Sequence, residues 1–367
     1  MIKLLLTFFT TITISVSYCQ DFTLTHDSLT RSYRLHVPVD YNPDSIYPLV
    51  INMHGFGSNA FEQEIYTAFN IVADSAGFLV AYPNGIGETW NISSSTGIDD
   101  VGFISALIDT IDLDYNIDLE RVYATGMSMG GFMSYRLACE LSDRIAAIAS
   151  VAGLQAFYPC NPGRPVPVMQ FHGTADPVVP YTGVPTTINN WVNNNTCPET
   201  PVVTDLPDID TTDNSSVTKS YYGPCDESTE VILYTLNGGE HTWPGAEIYI
   251  GVTNQDIKAS YEIWDFFSRF TLEGSTSIPD NAGYGKPSWN IYPNPVLDLA
   301  TVELSALPSS YFYFRIYSLT GAIVLEIKNP GSKRFLVDCS LLPSGFYISE
   351  VYAGKSITFQ KIIIRRS

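Results

Sequence analysis

Between residues 30 and 270, short apolar runs alternate with stretches whose apolar positions recur at helical spacing. The runs "YRLHV", "PLVINMH", "FLVAYP", "RVYAT", "AAIASVAG", "VPVMQFHG" and "VILYTL" are rich in β-branched and aromatic residues and predict strands. In "DDVGFISALIDTID", Val101, Ile104, Leu107, Ile108 and Ile111 fall on one helical face, and Asp100 is the predicted N-cap. Asp99 and Asp100 therefore read as structural before they read as catalytic. Strands alternating with helices predict an α/β fold around a mostly parallel central sheet over residues 20–271. Residues 272–288, "LEGSTSIPDNAGYGKPS", carry Gly, Ser and Pro without periodicity and predict a linker. Past it the pattern changes to strand-like alternation broken by Gly-containing turns, as in "YFYFRIYSLTGAIVLEI" and "GFYISEVYAGKSITFQKIIIRR". Residues 289–367 are thus expected to form a small all-β sandwich without helices.

Charge narrows the partners. With 19 basic and 38 acidic residues the formal net charge is −19, and no basic cluster reverses it, which argues against nucleic acid or an anionic membrane surface. The N-terminus pairs Lys3 with an apolar stretch from Leu4 to about Val16 and small residues at Ser17 and Cys19. Residues 1–19 are the pattern of a cleaved secretory signal rather than of a membrane span. A lipid-anchored Cys19 is the alternative, and bulky Tyr18 fits it poorly. Removing Cys19 from the six cysteines leaves Cys139, Cys160, Cys197, Cys225 and Cys339. In an oxidising compartment the first four allow three pairings, the simplest being Cys139 with Cys160 and Cys197 with Cys225. Their spacing fits no zinc site, so neither metal nor organic cofactor is expected. Cys339, in "RFLVDCSLL", reads as a small buried residue.

The stretch "RVYATGMSMGGFMSYRLACEL" places Ser128 in Gly126-Met127-Ser128-Met129-Gly130, where a strand gives way to a helical pattern with Phe132, Tyr135 and Leu137 at apolar positions. A helix-capping serine is one reading. The other is a nucleophile elbow, whose small flanking residues permit a turn tight enough to expose the hydroxyl. A serine nucleophile needs a base and a carboxylate to orient it, following in the order Ser, acid, His. Of the five histidines, only His172 and His241 lie beyond Ser128. Asp176 follows the strand ending near His172, and His241 follows "VILYTL" in a glycine-loosened loop, with Glu240 beside it as a rival acid. Elimination by order gives Ser128, Asp176 and His241. Asp-Pro turns and solvated loop histidines are common by themselves; both at strand ends, in order, after an elbow are not. The oxyanion would be held by the Met129 amide and by an amide of "HGFGSNA", for which Phe56 is preferred over Gly55 or Gly57. His54 is assigned to fixing that loop by a side-chain hydrogen bond. Trp243, Trp90 and Tyr82 are the candidate substrate-contacting aromatics.

Two resemblances extend this reading. "IYPNPV", "FRIYSLTGAIV", "LPSGFYISEV" and the terminal "KIIIRRS" resemble the C-terminal sorting domain of type IX secretion cargo. That implies the type IX secretion machinery as a partner, passage across the outer membrane, and release or surface attachment; a carbohydrate-binding β-module is the other reading of this tail. "YPLVINMHGFGSN", "VAYPNGIGETWN", "DDVGFISALID", "RVYATGMSMGGFMSYRLACE", "FHGTADPVVPY" and "GGEHTWPG" resemble the secreted feruloyl esterase and polyhydroxybutyrate depolymerase group of α/β-hydrolases, over most of residues 25–270. The resemblance implies ester hydrolysis through an acyl-enzyme by Ser128, Asp176 and His241, and implies that the two local cysteine pairs are bridges. Phe56 departs from relatives that often carry a smaller or sulfur-containing residue there. The expected protein is a secreted serine esterase acting on feruloyl or acetyl esters of plant polysaccharide. A polyester depolymerase shares the chemistry, and a glycan-binding adhesin on a hydrolase scaffold is the alternative of another class.

Overall fold

The computed structural model describes residues 19–93, 97–157, 159–272, 274–275, 289–304, 312–318, 323–328, 332–353 and 356–366. The predicted signal at 1–19 lies, apart from Cys19, outside the described residues. The chain divides into two compact units between residues 276 and 277.

The first unit runs β1 (Gln20–His26), β2 (Leu29–His36), β3 (Tyr47–Met53), α1 (Ala60–Thr67), α2 (Phe69–Ala76), β4 (Leu79–Pro83), α3 (Asp100–Asp114), β5 (Ile117–Met127), α4 (Met129–Glu140), β6 (Ala147–Val151), β7 (Val168–Gly173), α5 (Val184–Asn194), β8 (Val202–Asp205), β9 (Ser216–Tyr222), β10 (Val231–Asn237) and α6 (Ala259–Phe267). The strands form a ten-stranded sheet in the order β1-β2-β4-β3-β5-β6-β7-β10-β9-β8. From β4 through β10 every neighbouring pair is parallel, and the antiparallel strands lie at the two margins. This is an α/β-hydrolase fold. The apolar runs are β2, β3, β4, β5, β6, β7 and β10; β1, β8 and β9, which hold one buried residue among them, have no such run.

Alternation along the strands feeds two cores, one on each face of the sheet. Leu49, Ile51 and Met53 of β3 join Phe103, Ile104, Leu107 and Ile108 of α3 and Tyr135 and Leu137 of α4. Val50, between them in sequence, joins Phe69 and Val72 of α2 and Ile263, Phe266 and Phe267 of α6. Each such fully buried side chain contributes roughly 1.5–3 kcal/mol. The N-cap of α3 is Asp99, which accepts from the Gly102 amide at 2.8 Å, and not Asp100. Asp100 is instead buried and accepts from Arg31 and from the Asn91 amide, each at 2.6 Å. A carboxylate one residue inside the helix faces the protein, where Arg31 compensates its charge. Disulfides join Cys139 to Cys160 and Cys197 to Cys225. The short strands β11 (Phe270–Thr271) and β12 (Gly274–Ser275) pair with each other, and Leu272 donates to the Glu120 carbonyl at 3.0 Å. The first unit therefore continues past residue 271, where the sequence places a linker; 276–288 lie outside the described residues.

In the second unit β13 (Trp289–Tyr292), β14 (Leu299–Leu304) and β17 (Arg334–Asp338) form one antiparallel sheet, and β15 (Phe312–Tyr317), β16 (Ile323–Lys328), β18 (Gly345–Ala353) and β19 (Ser356–Ile364) form another in the order β16-β15-β18-β19. Trp289, Val302, Phe314, Val337, Val351 and Ile362 share its core. Cys339 is buried there, and burial pushes its thiol up to about 11. Among the described residues this unit holds strands and no helix.

Candidate active site

Ser128 sits between β5 and α4 at φ +52° and ψ −119°, a conformation that costs a non-glycine residue on the order of 1–3 kcal/mol. Its amide donates to the Val151 carbonyl at 2.8 Å and its carbonyl accepts from Phe132 at 3.0 Å, opening the first turn of α4. The glycines on either side are dictated by the neighbouring strand. A Cβ at Gly126 would lie 2.5 Å, and one at Gly130 2.1 Å, from the Met53 carbonyl oxygen of β3. The serine is thus a strained elbow residue rather than a cap, since its side chain makes no capping hydrogen bond to the helix.

The loop after β3 lies against it: a Cβ on Gly55 would be 3.9 Å from Ser128 Oγ. Several contacts hold this loop. The Gly85 amide donates to His54 Nε2 at 3.0 Å, so Nδ1 carries the proton and donates to the Gly55 carbonyl at 2.7 Å. Gly57 donates to the Glu88 carbonyl at 2.9 Å, and Trp90 Nε1 to the His54 carbonyl at 2.9 Å. Met129 Sδ, on the other side of the elbow, accepts from Thr89 Oγ1 at 3.0 Å. Phe56, at the tip of this loop, is 72% exposed.

Asp176 follows β7 and His241 follows β10, neighbouring parallel strands, and the two side chains meet: His241 Nδ1 and Asp176 Oδ2 are 2.7 Å apart. Asp176 Oδ1 accepts from the Val178 and Val179 amides, each at 2.8 Å. Burial works to raise the Asp176 pKa, but the His241 hydrogen bond and the two amides outweigh it, so the carboxyl is held below its usual range. His172 lies buried alongside, with Nε2 3.6 Å from Asp176 Oδ2. Gln170, oriented by Tyr135 Oη and by the Gly153 carbonyl, donates to His172 Nδ1, so Nε2 donates to the Val179 carbonyl at 2.8 Å. Ser128, Asp176 and His241 all lie at the carboxyl ends of the parallel strands, where open α/β sheets bind ligands. Glu240 takes another role: it accepts from the Val252 amide at 3.2 Å.

The three aromatics expected to touch substrate are core residues instead. Tyr82 is fully buried on the α2–α6 side of the sheet, with its hydroxyl donating to Asn70 Oδ1 at 2.8 Å. Trp243 is 1% exposed and donates through Nε1 to Ser260 Oγ at 3.1 Å. Trp90 is 3% exposed, its indole N–H spent on the His54 carbonyl. Each indole or phenol polar atom has a protein partner, which is what lets such a ring be buried. The only candidate metal cluster among the described residues joins His26 and Asp27, at the β1–β2 turn, to Asp99, the N-cap of α3. There His26 Nε2 bonds Asp99 at 3.1 Å, which accounts for their closeness.

Comparisons with known proteins place the chain in a family. Residues 31–211 match the family model described as esterase PHB depolymerase, and 290–365 match a secretion system C-terminal sorting domain. Feruloyl esterase C of Emericella nidulans is 30% identical over 243 residues, covering 65% of this chain and 83% of that one. The chain belongs to the esterase PHB depolymerase family. A second relative of this family member, a bifunctional acetylxylan esterase/xylanase of Neocallimastix patriciarum, is 34% identical over 256 residues, 69% of this chain; the match spans only 35% of the relative's length. Among solved structures, an acetyl xylan esterase from Aspergillus awamori shares the fold at a TM-score of 0.51 and 17% identity, covering 68% of this chain and 99% of that one. The family and its relatives are carboxylic ester hydrolases. Among the described residues no helix is long and apolar enough to cross a membrane.

Proposed function

We propose that this esterase hydrolyses acyl esters carried by plant polysaccharide, acetyl or feruloyl groups on xylan, with Ser128 as nucleophile, His241 as general base and acid, and Asp176 as its orienting carboxylate. The observation that carries the reading is the 2.7 Å His241–Asp176 pair, which follows β10 and β7 at the same end of the parallel strands as a serine held at positive φ. Ser128 Oγ attacks the ester carbonyl as His241 Nε2 takes its proton; the imidazolium is stabilised by the Asp176 carboxylate at Nδ1. The Phe56 and Met129 amides receive the oxyanion, aided by the clamped loop and the helix start. Collapse of the tetrahedral intermediate releases the alcohol, protonated by His241. Water then enters by the same route and frees the acid and Ser128. The match to a depolymerase family model keeps a hydroxyalkanoate polyester as the second substrate. Export completes the proposal: residues 1–19 are a cleaved signal and the tail hands the protein to the type IX machinery, for release or surface display.

The test is initial rates of wild type and Ser128→Ala on methyl ferulate, acetylated xylan and a hydroxybutyrate oligomer. The xylan or ferulate ester should turn over, with kcat falling by about 10³-fold or more in the variant. Retained activity in Ser128→Ala would remove the serine from its role; turnover confined to the oligomer would make the protein a polyester depolymerase.

A further inference from the structure

Beside the catalytic histidine the chain displays a run of apolar side chains that packing does not explain. Ile248, Tyr249 and Ile250 are 51%, 67% and 64% exposed, in a stretch of five exposed residues, 247–251. An apolar tip held out in water marks an interaction surface more often than an accident.

The base of this tip is fastened to the residues on either side of His241. The Glu240 amide donates to the Val252 carbonyl at 3.0 Å, the Val252 amide returns to Glu240 Oε2 at 3.2 Å, and Thr242 Oγ1 reaches the same Val252 carbonyl at 3.4 Å. On the other limb Gly245 donates to the Asn254 carbonyl at 2.7 Å, and Gln255 Nε2 to the Ala246 carbonyl at 3.0 Å. Gly251 fits so closely that a Cβ there would come 2.2 Å from Glu240 Oε2. The tip therefore stays in the neighbourhood of His241.

The chemistry of His241 says which part of the substrate comes there. On the proposed reading, on which this inference rests, His241 returns its proton to the leaving oxygen, so its surroundings meet the alcohol half of the ester. In an acylated polysaccharide that half is the sugar chain, which is longer than the catalytic pocket and must lie across the surface. A pyranose ring presents C–H faces, and an exposed tyrosine flanked by isoleucines offers an apolar counterpart. The net charge of −19 favours a neutral chain over a polyuronate. We infer that residues 248–250 form a docking surface for the neutral polysaccharide backbone on the leaving-group side of the site, with Tyr249 as the stacking residue.

The experiment uses the full chain and compares kcat/KM on acetylated xylan with kcat/KM on p-nitrophenyl acetate. Variants are Tyr249→Ala, Ile248→Ser with Ile250→Ser, and, as control, Ile46→Ser, an equally exposed residue before β3 at the opposite strand ends. The ratio of polymer to small-ester efficiency should fall about tenfold in Tyr249→Ala, a loss of the size of one stacking contact, through KM and not kcat. It should hold within twofold in the control. A ratio unchanged in both tip variants, or lowered equally in Ile46→Ser, overturns the docking surface while leaving the esterase reading intact. A ratio that falls with a hydroxybutyrate polymer and not with xylan overturns the polysaccharide as occupant. If wild type hydrolyses neither xylan nor the small ester, the underlying reading falls first.

Discussion

At the residue scale, His54 and His172 hold the loops that surround the candidate nucleophile and acid, and each does so as a neutral imidazole. Both accept a hydrogen bond at one ring nitrogen and donate from the other, an arrangement that protonation would break. Burial lowers both pKa values from the ordinary 6.5, against weaker upward pulls from the carbonyls they bond. Above pH 6.5 folded and unfolded chains both carry neutral imidazoles here, and stability does not change. Below it the unfolded chain takes up protons that the folded chain refuses, so stability falls as pH drops, until the lowered folded pKa is reached. Each histidine adds a slope of up to about 1.4 kcal/mol per pH unit in that window. Thermal melts at pH 7.5 and pH 5.0 should show wild type losing more stability over the interval than His172→Asn, although the variant starts lower because Gln170 and Val179 lose a partner. Equal losses in the two proteins would show that His172 already binds its proton in the fold.

At the element scale, the elbow shows what a sequence discloses and what it withholds. The order Ser128, Asp176, His241 was legible because each residue follows an apolar run that became a parallel strand, and parallel strands put their carboxyl ends on one side. The aromatic neighbours were not legible. Sequence places Tyr82, Trp90 and Trp243 near loops but not on a side, and each turned inward to a partner supplied by a distant element: Asn70 of α2, the His54 carbonyl and Ser260 of α6. The shift of the α3 cap from Asp100 to Asp99 has the same cause, because Arg31 of β2 decides which carboxylate is buried. Glycine at Gly130 follows from strand β3 passing within van der Waals reach, so adding one methyl has nowhere to go but the backbone. Gly130→Ala should lose about 3 kcal/mol or more of unfolding free energy, whereas Gly97→Ala, with nothing within 4 Å, should stay within about 0.5 kcal/mol. Denaturant unfolding of both variants checks this, and a stable Gly130→Ala would mean that β3 and α4 can part without cost.

At the scale of the whole molecule, the chain couples a hydrolase unit to a tail with a core of its own. Period-two alternation made the tail's strands legible, and its character as a sandwich followed; the end of the first unit was placed too early, because the β11–β12 pair is too short to leave a pattern. The hydrophobic clusters of the two units share no residue, and Ser128, Asp176, His241, Phe56 and Met129 all belong to the first. Cutting the chain after Thr276 should therefore leave kcat/KM on p-nitrophenyl acetate within twofold of the full protein. A sorting domain acts as an address, read by the export machinery rather than by the substrate, so the same truncation in a producing cell should abolish appearance of the enzyme outside the outer membrane while activity persists in the periplasmic fraction. The two readouts separate address from scaffold. Loss of activity together with a lowered melting temperature would make the tail a structural support for the catalytic unit, and unimpaired export would leave the tail without its proposed role.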